Sequence, residues 1–193
     1  MPGSRWTLPM AVAIACAAVI GAMPAGAQNA TAPTAMGPTA AAPAPPAKNW
    51  TAPAAKIYAQ ALSDRTMAAH PELLSVTFHG VPPGMSKTYT MFAGSYPDRI
   101  GNPDDPDDID VSAKGITIID PRWHRTKDTV KKFVVLMPLR DAHAQNIGLI
   151  VYAFKTEAQA GKGEREYFAQ AMDLRDALQN DIPSYEALFQ PAK

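Results

Sequence analysis

The stretch VKKFVVLMPLRDAHAQNIGLIVYAFKT, residues 130–156, predicts two apolar strands joined by a short polar turn. In residues 130–140, and again in residues 147–155, apolar side chains occupy both alternating faces. Strands of this kind are typical of the covered centre of a sheet, because a strand bordering water carries one polar face. Asp141 and Asn146 bracket a loop without an apolar anchor, as in a hairpin connection. The stretch therefore predicts a buried β-hairpin.

Three residues of this hairpin predict local detail. Gly148 indicates a bulge or a close approach of another backbone segment. Pro138 cannot donate a hydrogen bond to a neighbouring strand, so we expect an edge, a bulge or a pocket there. Asp141 is expected to stabilise the turn rather than to contact a ligand.

Residues 1–27 have the pattern of a secretory signal peptide. Arg5 precedes an apolar run over residues 8–23, and Ala25-Gly26-Ala27 forms an A-x-A cleavage site. An uncleaved membrane anchor is the alternative, but the run is shorter than the ~20 residues that a membrane-spanning helix needs. We expect a periplasmic or secreted protein that does not span the membrane once the signal is removed.

Composition excludes several functional classes. The only cysteine is Cys16, within the signal, so the mature chain has no disulfide and no thiol nucleophile. The 18 basic and 18 acidic side chains balance, which gives no electrostatic case for nucleic acid. No hydrolase, metalloprotease or phosphate-loop motif is present, so we expect neither an enzyme nor a bound cofactor.

A linker precedes the folded part of the chain. Residues 28–53 consist almost entirely of Ala, Pro, Thr and Asn, which cannot bury enough apolar surface to offset the entropy of ordering. We expect a disordered tether followed by one domain over residues 54–193.

The sequence of the domain predicts a mixture of helices and strands. The expected elements are a helix over 54–69, strands over 73–81 and 87–94, a small helix after Asp105, a strand over 116–120, the hairpin, a helix over 164–180 and a final turn over 183–189. The first strand alternates Leu74, Val76 and Phe78 against Ser75, Thr77 and His79. This order predicts an α+β fold, an antiparallel sheet of about five strands with flanking helices, which we expect on one face.

An acidic cluster invites a calcium interpretation. It contains Asp104, Asp105, Asp107, Asp108 and Asp110. The cluster lacks the D-x-D-x-D-G loop with a distant glutamate. A helix start is favoured instead, with Asp105 as N-cap, Pro106 as the first helical residue and Gly115 as the stop. No metal site is expected here.

The four histidines lie in four separate segments without the spacing of metal ligands. His79 with Met85 and Met91 leaves a copper or haem site open as an alternative, although methionine beside a strand is usually core filler.

Two segments carry a resemblance to a known family. FAGSYPDRIGNPDDPDDIDVSAKG, residues 92–115, and MPLRDAHAQNIGLIVYAFK, residues 137–155, resemble PAS-like extracytoplasmic sensor domains, in particular the single Cache domain. The first is similar to the family's strand, S-x-x-x-R-I-G loop and small helix, and the second to its P-L-R-D closing hairpin. Ala144 stands where the family's turn has glycine. The resemblance covers residues 54–178, and we expect this chain to carry no output domain of its own.

The resemblance implies a small-ligand pocket between the sheet and the segment from the second strand to the small helix. The candidate ligand-binding residues are Tyr89, Ser95, Arg99, Trp123, Arg140 and Tyr152. A guanidinium group pairs bidentately with a carboxylate, so a small organic anion is the favoured ligand. We expect a sensor-like domain that recognises a small metabolite, with a separate membrane-bound signalling partner as one option. The alternatives are a structural or interaction module of the cell envelope without a ligand, and a periplasmic metal- or haem-binding protein.

Overall fold

The computed structural model describes residues 47–119, 130–156 and 161–192. The elements are α1 (Tyr58–Ala69), β1 (Leu73–Gly80), β2 (Thr90–Gly94), α2 (Pro106–Lys114), β3 (Ile118–Ile119), β4 (Lys132–Arg140), β5 (Asn146–Lys155) and α3 (Glu164–Gln179). Two 3-10 turns, Pro97–Arg99 and Glu186–Phe189, complete them. The expected signal peptide, the tether up to residue 46 and Trp123 lie outside the described residues. Within these ranges no helix has the length and hydrophobicity needed to cross a membrane.

The strands form one antiparallel sheet of five, in the order β2-β1-β5-β4-β3. This confirms the predicted α+β class with a five-stranded antiparallel sheet. The β4–β5 hairpin pairs over its full length, from Lys132 opposite Lys155 to Arg140 opposite Asn146. β5 also pairs with β1, so it is the central strand.

Alternation along the hairpin gives the sheet two apolar faces, as predicted. One face contributes Phe133, Val135, Met137, Leu139, Ile150, Tyr152 and Phe154 to the main core. The other face contributes Val134, Leu136, Leu149 and Ala153 to a smaller core around Val111 of α2.

The helices divide between these two faces. α1 and α3 cover the main core, and their buried residues include Leu62, Ala171 and Leu178. α2 packs instead against β4 and β5 on the other face through Val111. The expectation that all helices lie on one face was therefore wrong, because the hairpin is apolar on both faces and each needs a cover.

A bulge in β1 corrects the predicted alternation of that strand. Val76 and Phe78 join the main core as expected, but Leu74 packs with the smaller core on the other face. The pairing of β1 with β5 shifts register between Leu73 and Ser75. An extra residue inserted at a bulge reverses the side-chain alternation that follows, which explains the position of Leu74.

α1 begins later than its composition predicts. Ile57 has an extended backbone and forms an antiparallel bridge with Pro191, so the helix starts at Tyr58 rather than at residue 54. The C-terminal turn packs back on the sheet, as expected, since Phe189 lies 4.7 Å from Phe92 of β2 between ring centroids.

The last residues of the expected tether contact the domain. The Asn49 backbone N–H donates to the Gly101 carbonyl at 2.8 Å, and the Asn49 side-chain amide donates to the Tyr89 carbonyl at 3.0 Å. Trp50 is half-buried and packs edge-on against Phe189. Ordered contacts therefore begin at Asn49, before residue 54.

The hairpin turn confirms the role expected of Asp141. Its Oδ1 accepts hydrogen bonds from the backbone N–H groups of His143 and Gln145, at 2.9 and 3.0 Å. Ala144 has a φ of 60°, so the turn keeps the left-handed residue that glycine favours although the side chain is alanine.

Gly148 shows the close backbone approach that the sequence predicts. Its φ is 149°, and a Cβ added there would lie 2.5 Å from the carbonyl oxygen of His79 in β1. Among the described residues, β3 pairs with β4 only at Val135 and Leu136. Pro138 lies beyond that part of β4, so it has a neighbouring strand only on the β5 side, and this is the edge position that the sequence predicts.

We expect Gly148→Ala to destabilise the fold by about 3 kcal/mol, from backbone strain together with a clash against backbone that cannot rotate away. Gly84→Ala is the matched control, because Gly84 also has a positive φ but nothing within 4 Å of the added Cβ. That variant should lose only about 1 kcal/mol. Urea denaturation measures both, and equal losses would contradict the steric role of Gly148.

Candidate functional site

A cavity of about 520 Å³ lies on the sheet face that α2 covers only in part. Its floor is apolar and comes from β4 and β5: Val134, Leu136, Val151 and Ala153. Its polar lining comes from β1, from the segment that leads into α2, from the first turn of α2 and from the start of β4: Ser75, Thr77, His79, Tyr96, Asp98, Arg99, Asn102, Asp104, Asp105, Asp108 and Lys132. A cavity is therefore present where the family resemblance implies one, between the sheet and the segment from the second strand to the small helix.

The segment before α2 runs alongside β2, and this brings the acidic cluster over β1. Backbone N–H groups of Met91 and Gly101 donate to the carbonyls of Asn102 and Met91, at 3.2 and 2.8 Å. The Asp104 N–H donates to the Tyr89 carbonyl at 3.2 Å. These ladder-like bonds place the Asp104 side chain against His79.

α2 starts as the acidic cluster predicts. Asp105 is the N-cap, Pro106 is the first helical residue, and Gly115 ends the helix in a left-handed conformation. The Asp108 carboxylate accepts a hydrogen bond from the Asp105 backbone N–H at 3.2 Å. The cluster therefore does form a helix start, and the same geometry fixes the direction of the Asp108 side chain.

A chain of hydrogen bonds links three buried polar side chains in the cavity wall. His79 Nδ1 lies 2.7 Å from Asp104 Oδ1, and His79 Nε2 lies 2.8 Å from Thr77 Oγ1. The Asp104 side chain is fully buried, and that of His79 is 11% exposed. The imidazole is thus held from both nitrogens.

Burial alone would lower the pKa of His79, but the hydrogen bond and the negative charge of Asp104 outweigh it, with help from Asp108 and Asp105. The pKa of His79 is therefore raised above its usual value. The pKa of the Asp108 carboxyl is also raised, first by burial and then by the nearby charge of Asp104, while His79 opposes the shift. The wall concentrates negative charge around one imidazole.

The order Thr77–His79–Asp104 matches the connectivity of a nucleophile, a base and an orienting carboxylate. A general base must accept a proton, however, and the raised pKa of His79 favours the protonated ring. When both ring nitrogens carry a proton, Nδ1–H donates to Asp104 and Nε2–H donates to Thr77, and the ring cannot then accept the proton of the hydroxyl.

One carboxylate oxygen of the wall, Asp104 Oδ2, is buried without a hydrogen-bond donor among the described residues. The other oxygen, Oδ1, is bound to His79. A buried carboxylate oxygen without a partner costs free energy, because it has lost water without gaining a donor. The wall therefore contains a buried acceptor that favours a hydrogen-bond donor or a cation.

Of the six candidate ligand-binding residues, Arg99 lines the cavity. It lies at the exposed mouth, with its guanidinium 4.8 Å from the centre of the Tyr96 ring. Trp123 lies outside the described residues.

The other four candidates lie elsewhere. Ser95 ties β2 to β1, since its Oγ accepts from the Val76 N–H at 3.1 Å. Tyr89 contributes backbone hydrogen bonds, and Arg140 lies half-buried at the bulged end of β4, away from the residues that line the cavity.

The expected placement of Tyr152 near a ligand needs correction. Tyr152 belongs to the main core, on the opposite face of the sheet, where its side chain is fully buried. Burial raises the pKa of its hydroxyl, and the hydroxyl has no hydrogen-bond partner among the described residues. Alternation explains the position, because its neighbours Val151 and Ala153 take the cavity side.

Sequence reasoning did not bring His79, Asp104 and Asp108 together. Each had a sound local explanation, as a strand residue, a loop residue and a helix N3 residue. His79 and Asp104 are 25 positions apart, and only the packing of the loop along β2 joins them. The signal available in the sequence was the polar face of β1, formed by Ser75, Thr77 and His79. In the structure this polar face lines the cavity.

Comparison with known proteins yields little. No protein-family model matches the chain, and no curated protein sequence matches it. The crystal structure of the E. coli DcuS sensor domain is similar over 51% of this chain and 67% of that one, with 18% identity and a TM-score of 0.36.

We expect Asp104→Leu to destabilise the protein by about 3 kcal/mol, because it leaves the buried imidazole of His79 without its partner. The double variant His79→Leu/Asp104→Leu should recover most of that loss, since two apolar groups of similar size can replace a buried ion pair. Urea denaturation of both single variants and the double variant measures the coupling. Strictly additive losses would contradict an ion pair.

Proposed function

We propose that this chain is an exported, sensor-like domain that binds a small molecule in the cavity between the sheet and the 96–108 segment. The observation that carries the proposal is the cavity itself, about 520 Å³ with an apolar floor and a polar wall. Pockets for small ligands combine these two features, because apolar surface supplies affinity and a few polar groups supply orientation. A separate membrane-bound partner would receive the signal.

The lining indicates the chemistry of the ligand. Arg99 at the mouth is suited to a carboxylate or a similar anionic group. Asp104 and Asp108 at the inner wall would repel a ligand that is only anionic. The inner end therefore takes hydrogen-bond donors or positive charge, supplied by the ligand or by a cation beside it.

The cavity distinguishes this proposal from a structural module that has lost its pocket. In such a module we would expect side chains to fill the sheet face, whereas Ser75, Thr77 and His79 line a cavity there, although little of their surface is accessible. The site also favours binding over catalysis, because the imidazole is held from both sides and its pKa is raised.

Arg99→Ala should weaken binding of an anionic ligand at least about tenfold, because it removes a charge-assisted hydrogen bond of roughly 1.5–3 kcal/mol. Arg140→Ala is the matched control, since it removes the same charge outside the cavity and should leave the affinity unchanged. Thermal melting with carboxylates, amino acids and purines identifies a ligand by the rise in Tm, and calorimetry of both variants then gives the affinities. A panel without a shift, or equal losses in both variants, would contradict the proposal.

A further inference from the structure

We infer that His79, Asp104 and Asp108 form a binding site for one divalent transition-metal cation in the cavity wall. The three residues come from β1, from the loop before α2 and from the first turn of α2. The site goes beyond the binding of a small molecule, because it is formed by protein side chains alone and either property can be absent without the other.

The distances between the donor atoms fit a single ion. One ligand atom from each of the three residues lies within 4.8 Å of the others. Two donors on one ion are about 3–3.4 Å apart when the bonds are ~2.1 Å long, so only small side-chain rotations are needed. The short contact between His79 Nδ1 and Asp104 Oδ1, 2.7 Å, opens slightly as Nδ1 releases its proton to solvent and binds the metal.

Asp104 provides the independent sign of a missing partner. Its side chain is fully buried, yet Oδ2 has no hydrogen-bond partner in the described structure. An acidic cluster at a helix start normally satisfies its oxygens with backbone N–H groups or water. The Asp108 carboxylate does so through the Asp105 N–H, whereas Asp104 Oδ2 does not.

The surrounding contacts orient the proposed ligands. A histidine that binds metal usually donates its other ring N–H to a fixed oxygen, which selects the tautomer. His79 Nε2 lies 2.8 Å from Thr77 Oγ1, and Thr77 is itself fixed by strand pairing on both sides. The Asp105 N–H holds the Asp108 carboxylate in the same way.

The donor set favours a transition metal over the other cations that two carboxylates attract. Imidazole suits Zn²⁺, Ni²⁺ or Cu²⁺, whereas Ca²⁺ and Mg²⁺ prefer oxygen donors only. Three protein ligands would leave further coordination positions for water or a small molecule.

The experiment titrates Zn²⁺ alone into the purified, chelator-treated protein, prepared without a histidine tag, by calorimetry. We expect one equivalent to bind and to raise the Tm, with an affinity at least ~100-fold higher than that for Mg²⁺ or Ca²⁺. Asp108→Asn should weaken Zn²⁺ binding at least about tenfold, while its amide oxygen can still accept from the Asp105 N–H.

Asp105→Asn is the control, because it removes the same charge from the same wall and asparagine is an equally good N-cap. It should change the affinity for Zn²⁺ by less than about threefold, because Asp105 is not one of the three proposed ligands and would act on the ion only through its charge, which salt screens. Asp104→Asn, checked for folding by its melting curve, should behave like Asp108→Asn.

Three outcomes would each overturn the inference. They are absence of Zn²⁺ binding, equal Zn²⁺ affinity in Asp108→Asn and the unaltered chain, and equal losses of affinity in Asp105→Asn and Asp108→Asn. Equal affinities for Zn²⁺ and Ca²⁺ would overturn the assignment to a transition metal.

Discussion

The contact between Gly148 and the carbonyl of His79 is the constraint on which the rest of the structure depends. The two backbones approach so closely that a Cβ on Gly148 would lie 2.5 Å from the oxygen. This contact holds β1 and β5 in one register, with His79 opposite Leu149. A slip of one residue would exchange the faces of β1, moving Phe78 into the cavity wall and His79 into the core. The same contact therefore secures both the core and the site.

The sheet separates stability from binding by assigning them to opposite faces. The face under α1 and α3 contains the large fully buried side chains, including Tyr152, Phe78 and Phe154. The other face is covered by a helix of nine residues, which leaves a cavity beside it. A short cover is tolerable because the main core supplies most of the buried apolar surface. The polar side chains of β1 can therefore line a cavity without destabilising the fold.

Local patterns predicted the elements, and long-range packing decided the site. Alternation in residues 130–155 correctly assigned the two faces of β4 and β5, and the Asp105–Pro106 pair correctly started α2. Leu74 and Ile57 escaped prediction, because a bulge and a bridge to Pro191 depend on partners distant in sequence. Alternation also assigns Tyr152 to the face of Ile150 and Phe154, but only the packing of the segment before α2 decides that the cavity lies on the opposite face.

The energetics of Asp104 argue that the wall is shaped for binding rather than for stability. A buried carboxylate oxygen without a donor costs roughly 1–3 kcal/mol, and replacing Asp104 and His79 together by apolar side chains would avoid that cost. Asp104 nevertheless lies close to both His79 and Asp108, and the charges of the two carboxylates repel each other, which contributes to the raised pKa of Asp108. A positive partner would remove the repulsion between the two carboxylates and satisfy Oδ2 at once. Binding and the relief of this repulsion are then the same event, which links occupancy of the wall directly to the stability of the loop that carries Asp104.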